Sequence, residues 1–187
     1  MALTTLDPKT ALIVVDLQNG LMAYPTVHPL DEVVRRTGAL AASFRRHGLP
    51  VVLVNVTGVA PGRTEQSRNL GPRSADWADF VPELNRQPGD HVVTKRTWGA
   101  FMHTGLDEIL KALGITQVVI AGVATSIGVE STARQAYEHG YNVVLAVDAM
   151  TDLAMDTHLN SIGRIFPRLG ETGTAQAILD LLDGARA

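Results

Sequence analysis

The chain has 187 residues, 45% of them hydrophobic and 19% charged, with a formal net charge of −3 and no cysteine. That length fits one domain able to bury a sizeable core, and no low-complexity tract interrupts it. The small negative charge gives no reason to expect nucleic acid or a membrane surface as partner, and the missing thiols exclude disulfides, thiolate metal sites and a cysteine nucleophile. Met1 to Lys9 lacks the basic and apolar regions of a secretory leader, and no apolar run approaches the length of a bilayer span. The expectation is a cytoplasmic protein made of a single domain, residues 1–187.

In chain order, Ala11–Val15 is short, β-branched and apolar throughout, which predicts a strand covered on both faces. Leu30–His47 places Val33, Val34, Leu40, Ala41 and Phe44 at helical spacing and stops at Gly48. Val51–Val56 repeats the strand pattern. Thr57–Pro88 then breaks the rhythm: it is rich in Pro, Gly, Arg and Asn, and too long for a plain connector, so it predicts an excursion over the active site. His91–Thr94 is a weaker strand after the turn Pro88-Gly89-Asp90. Leu106–Leu113 follows Thr104, with Asp107 placed for a capping box, and ends at Gly114. Val118–Gly122 and Val143–Val147 read as strands, and Ser126–Glu138, Met155–Phe166 and Thr174–Leu182 as helices, with a further strand around Arg168–Glu171. Strand and helix in alternation predict an α/β fold: a three-layer α/β/α sandwich on a mainly parallel, Rossmann-like sheet of about six strands.

In such a sheet, ligands bind beyond the carboxyl ends of the strands. The polar residues there are Asp16, Gln18 and Asn19, then Asn55 and Thr57, Lys95 and Arg96, Thr125 and Ser126, and Asp148. A carboxylate at Asp16 is partly desolvated, which raises its pKa, while a nearby ammonium lowers it; a group so tuned suits acid or base work. Capping the next loop is the plainer role for the same residue. Lys95 is the natural counter-charge for Asp16 or for a developing oxyanion, although alone it reads as a solvated lysine. The segment Gly122–Glu130 is a strand-to-helix turn whose N–H groups offer either an anion site or an ordinary helix start. It is neither a dinucleotide fingerprint nor a P-loop, so no cofactor is expected. The six histidines lack metal-ligand spacing, and His47 and His139 fall at helix ends beside glycine, so no metal is expected. Trp98 and Phe101, with Trp77 and Phe80 in the excursion, either wall a small-molecule cleft or pack the lid. Arg63 is a candidate for binding a substrate carboxylate.

Three segments then stand together: Ala11-Leu-Ile-Val-Val-Asp16-Leu-Gln18-Asn19, Lys95-Arg-Thr-Trp-Gly-Ala-Phe101, and Gly122-Val-Ala-Thr-Ser-Ile-Gly128-Val-Glu-Ser-Thr-Ala-Arg134. In this order and over nearly the whole chain they resemble the isochorismatase-like hydrolases. Most of that superfamily uses an Asp, a Lys and a nucleophilic Cys. The resemblance implies catalytic roles for Asp16 and Lys95, and places Gly128 where the cysteine stands. It also implies a cis peptide at Val123–Ala124, an oxyanion site at the following helix start, a substrate site that draws in Gln18, Ala124 and Thr125, and a homodimer or higher homo-oligomer. One branch, the vinyl-ether hydrolases, also carries glycine at this position. There the aspartic acid protonates the vinyl-ether methylene, and water captures the resulting cation to release pyruvate. The chain departs from that branch at Ala124, where a tyrosine is usual, and at Ser126, where Asp or His is usual. The function implied is hydrolysis of a small anionic molecule by Asp16 acid/base chemistry, with vinyl-ether cleavage the best-motivated reaction. Two alternatives stand beside it: a non-catalytic binding or regulatory protein, and an amidase-type cysteine hydrolase with its cysteine replaced at position 128.

Overall fold

The computed structural model describes residues 3–66 and 73–184. Its first strand, β1 (Thr10–Val15), shows why an uninterrupted apolar run was needed. Leu12 and Val14 point into one hydrophobic layer, Ala11, Ile13 and Val15 into the other, and all five are fully buried. Burying each such Val, Leu or Ile contributes roughly 1.5–3 kcal/mol, and a charge at Ile13 would find water on neither face.

The first layer is closed by α1 (Leu30–Arg46) and α6 (Ala175–Gly184). Helix α1 buries Val33, Val34, Leu40, Ala41 and Phe44, and carries Asp31 and Glu32 in its first turn and Arg45 and Arg46 in its last, signs that match the helix dipole. The second layer is closed by α2 (Leu106–Ala112), α3 (Glu130–Glu138) and α5 (Phe166–Leu169). Between the layers, β1 joins β2 (Val51–Val56), β3 (His91–Lys95), β4 (Gln117–Val123), β5 (Asn142–Thr151) and β6 (Glu171–Gly173) in the order β3-β2-β1-β4-β5-β6, every pair parallel. The three-layer α/β/α sandwich is therefore as expected. Among the described residues no helix is long and apolar enough to cross a membrane.

Five local expectations are corrected. The capping box before α2 does not form: the residue at the cap is Gly105, and Asp107 bonds instead to Lys111 and Tyr141. The last strand is Glu171–Gly173, because Arg168 and Leu169 still belong to α5. The helix expected from Ser126 opens as a π-helical turn, Thr125–Val129, and becomes α-helical at Glu130. A second π-helical turn, Ser161–Ile165, separates α4 (Met155–Asn160) from α5 in the segment expected to be one helix. Strand β5 also runs beyond Val147, because its register against β4 jumps from Leu145 to Met150. That bulge turns Asp148 out of the ladder to accept a hydrogen bond from the Ala175 N–H at the start of α6.

The strand order reverses between β1 and β4, and the crevice of an open parallel sheet opens at such a reversal. Gly122 allows the two strands to meet there. Its φ is 118°, and a Cβ on it would run into the main chain of Val15, its partner in register.

Candidate active site

Asp16 is the first residue past β1 and has a φ of 55°, a left-handed conformation that turns the chain sharply out of the sheet. Its carboxylate is 5% exposed and meets Lys95, the last residue of β3, across β2: Lys95 Nζ lies 2.7 Å from Asp16 Oδ2. The lysine is 2% exposed and donates a second hydrogen bond, 2.7 Å long, to the Trp98 carbonyl. Burial raises the Asp16 carboxyl from 3.8 to about 6, against the opposing pull of the Lys95 charge and its hydrogen bond. Asp16 Oδ1 is buried and has no hydrogen-bond partner among the described residues. One oxygen is thus held by the lysine while the other is available to carry a proton.

Gly128 faces this pair from the π-helical turn after β4. A Cβ on it would lie 3.2 Å from Asp16 Oδ2 and 3.0 Å from the Val123 carbonyl oxygen, so glycine keeps that space clear. The Val123–Ala124 peptide is cis. Behind it, Thr125 is fully buried and shares a 2.8 Å hydrogen bond with His158 Nδ1. Burial, then the neighbouring His28, holds the His158 imidazole below its ordinary pKa, with Asp152 opposing. Asp152 accepts hydrogen bonds from the Ser126 N–H (2.6 Å) and the Leu153 N–H (2.8 Å). The helix start therefore already faces a protein carboxylate at Ser126.

Asp16, Lys95 and Gly128 lie together in a cavity of about 260 Å³, with Trp98 and Ala124 also in its wall. The other expected binding residues lie outside the lining. Gln18 is fully buried, and its side chain is used in the protein: Nε2 donates to the carbonyls of Val56 and Trp77, and Oε1 accepts from the Val56 N–H. Phe101 stacks on the His139 ring at 5.1 Å and packs in the core layer. Thr125 turns to His158, and Arg63 is exposed on the excursion. Asn19 and Asn55 bond to Asp76 and Ala78, so with Gln18 they tie the excursion down instead of meeting a ligand.

The excursion contributes residues that sequence reasoning did not single out, chiefly Gly58, Val59 and Arg73, and the loops after β1 and β5 add Tyr24 and Leu153. Trp77, expected as a wall aromatic, is one. Nothing in the composition of Thr57–Pro88 separates Arg73 from Arg63; only the placement does. Asp152 was hidden by the bulge, since Asp148 interrupts the apolar run first. Among the described residues no three acidic or histidine side chains converge as metal ligands would.

Comparison with known proteins identifies the family to which this fold belongs. The family model described as the isochorismatase domain matches residues 10–177. The isochorismatase family protein YwoC of Bacillus subtilis (strain 168) is 40% identical over 182 residues, 92% of this chain and 93% of that protein. Streptothricin hydrolase of Streptomyces noursei is 36% identical over 140 residues, 74% of this chain but 48% of that protein. The structure of an isochorismatase family protein from Burkholderia thailandensis matches with a TM-score of 0.92 and 41% identity, covering 96% of this chain and 98% of that one.

Proposed function

The chain belongs to the isochorismatase family of hydrolases, and on that premise we propose that it hydrolyses a vinyl ether of a small anionic molecule with Asp16 as general acid. The observation that carries this reading is the state of Asp16: a buried carboxyl raised to about 6, with one oxygen on Lys95 and the other unpartnered among the described residues. A carboxyl raised to about 6 still holds its proton in mildly acid solution, where an ordinary carboxylate has lost it, and that suits transfer of a proton to carbon. Acyl-enzyme chemistry would need a nucleophile, and the position that faces Asp16 is glycine in a chain without cysteine.

In the proposed reaction, Asp16 gives its proton to the terminal methylene, and the ether carbon becomes an oxocarbenium ion. The carboxylate left behind is stabilised by the Lys95 ammonium. Water adds to the cationic carbon and returns a proton to Asp16. The hemiketal then collapses to a ketone and an alcohol, so one water is consumed and Asp16 ends as it began. Glycine at position 128 keeps a side chain out of the space beside the Asp16 carboxyl.

Isochorismate, an enolpyruvyl ether, tests this directly, with pyruvate release as the signal. Wild type is expected to turn over, and Asp16→Asn to lose roughly 10²–10⁴-fold. No turnover by wild type sinks the reaction, and undiminished turnover by the variant sinks the role of Asp16. The free enzyme must hold the proton to donate it, so kcat/KM should be level below about 6 and fall above it. A profile that rises through that pH would make Asp16 a base.

A further inference from the structure

The charged side chains in the cavity wall are Asp16, Lys95 and Arg73. The first two are paired with each other, whereas Arg73 has no carboxylate partner among the described residues. Its guanidinium lies 4.1 Å from the Trp77 ring centre, and Nη1 donates a 2.7 Å hydrogen bond to the Thr57 carbonyl. Stacking and one hydrogen bond hold the planar group in place while further N–H donors remain for a ligand.

Trp77 is itself fixed. The Gln18 amide donates to its carbonyl, that carbonyl also accepts from the Gly20 N–H, and any Cβ at Gly20 would overlap the indole. The support for the cation thus runs back to the loop after β1. Arg73 is exposed and Trp77 half-buried, while Asp16 and Lys95 are sealed below them, so the cation stands at the mouth and the reacting pair at the floor. Between them the wall is mostly apolar and aromatic, with Tyr24, Leu30, Val56, Trp77, Trp98 and Ile127.

We propose that Arg73 is a specificity-determining residue that takes a carboxylate on the body of the substrate, away from the bond that Asp16 acts on, so that the substrate is an aromatic or cyclic acid with its reactive group at the opposite end. The inference rests on the reading of this cavity as the substrate site, and not on which bond is cleaved there. A planar fork suits a carboxylate at two points, which a neutral amide of the same shape does not reproduce.

The chain's two tryptophans, Trp77 and Trp98, both line the cavity, so intrinsic fluorescence reports binding. Benzoate and benzamide are the probes, a charged ring and its neutral analogue. Wild type is expected to bind benzoate roughly tenfold more tightly than benzamide. Arg73→Gln should erase that preference and leave the benzamide affinity unchanged, and Arg73→Lys should restore part of it. Equal affinities in wild type, no fluorescence response to either probe, or a preference that survives in Arg73→Gln overturns the proposal; the last would put the anion on Lys95. With isochorismate, Arg73→Gln should raise KM several-fold and leave kcat within about twofold, whereas a fallen kcat at unchanged KM counts against it. A benzoate preference lost in Arg73→Gln, in a protein with no vinyl-ether turnover, sinks the proposed reaction and leaves the role of Arg73 standing.

Discussion

The floor and the rim of the cavity are positioned by different means. Asp16, Lys95 and Gly128 sit at the ends of β1 and β3 and in the turn after β4, each buried and each fixed by strands whose register the hydrophobic layers impose. Tyr24, Val59, Arg73 and Trp98 form the rim; they come from loops and are exposed or half-exposed. No hydrophobic layer holds the rim. Arg73 is held by its stack on Trp77 and its bond to the Thr57 carbonyl, Trp98 by the Lys95 bond to its carbonyl, and hydrogen bonds from Gln18, Asn19 and Asn55 fix the Asp76–Ala78 stretch beneath Arg73. Under the proposed function, chemistry would be tied to the buried part of the molecule and recognition to the exposed part.

If that division is right, the largest effect should come from the floor. Lys95→Met is expected to lower kcat/KM by roughly 10²–10³-fold. Lys95 lowers the Asp16 pKa by its charge and by its hydrogen bond, so its removal should move the falling limb of the pH profile above about 6. A limb that stays in place would detach the two residues. The joint between floor and rim comes next. Gln18→Ala removes three hydrogen bonds from a fully buried side chain and leaves the Val56 N–H unpaired, which should cost about 3 kcal/mol and lower Tm by roughly 6–12 °C in thermal unfolding. The smallest effect on folding belongs to the rim. Trp98 is 59% exposed, so Trp98→Ala should change stability by less than about 0.5 kcal/mol while raising KM several-fold at nearly constant kcat. A large drop in Tm there would erase the distinction between the two regions.

The same division explains what could be read from the residues beforehand. Apolar runs such as Ala11–Val15 admit one placement, between two covered faces, and the end of that run points to Asp16 without a structure, whereas Lys95, after the weaker strand His91–Thr94, stood out through family resemblance. Gly128 could be singled out through family resemblance, because a missing side chain leaves no chemical pattern of its own. The rim was harder. Polar residues at strand ends look alike whether they meet a ligand or their own chain, and Gln18 proved to be consumed by Val56 and Trp77. Arg63 and Arg73 sit in similar surroundings in sequence, and only the stack on Trp77 distinguishes the second. Asp148, expected at the end of its strand, instead lies at a bulge within β5, and Asp152 stands past the strand's end: a bulge cannot be seen in a run of residues that merely pauses at an acid.

Gln18 has one more consequence, which concerns change over generations. Its amide bonds to Val56, where the excursion departs, and to Trp77 within it, and its backbone bridges to Phe80. The part of the excursion between Val56 and Trp77 is therefore closed at its base whatever lies between. For a loop already closed at its base, each doubling of length adds only ~0.6 kcal/mol of closure entropy. Insertions and deletions between Val56 and Trp77 should thus cost the sheet little, so that the proposed recognition surface can vary while Asp16 stays where it is.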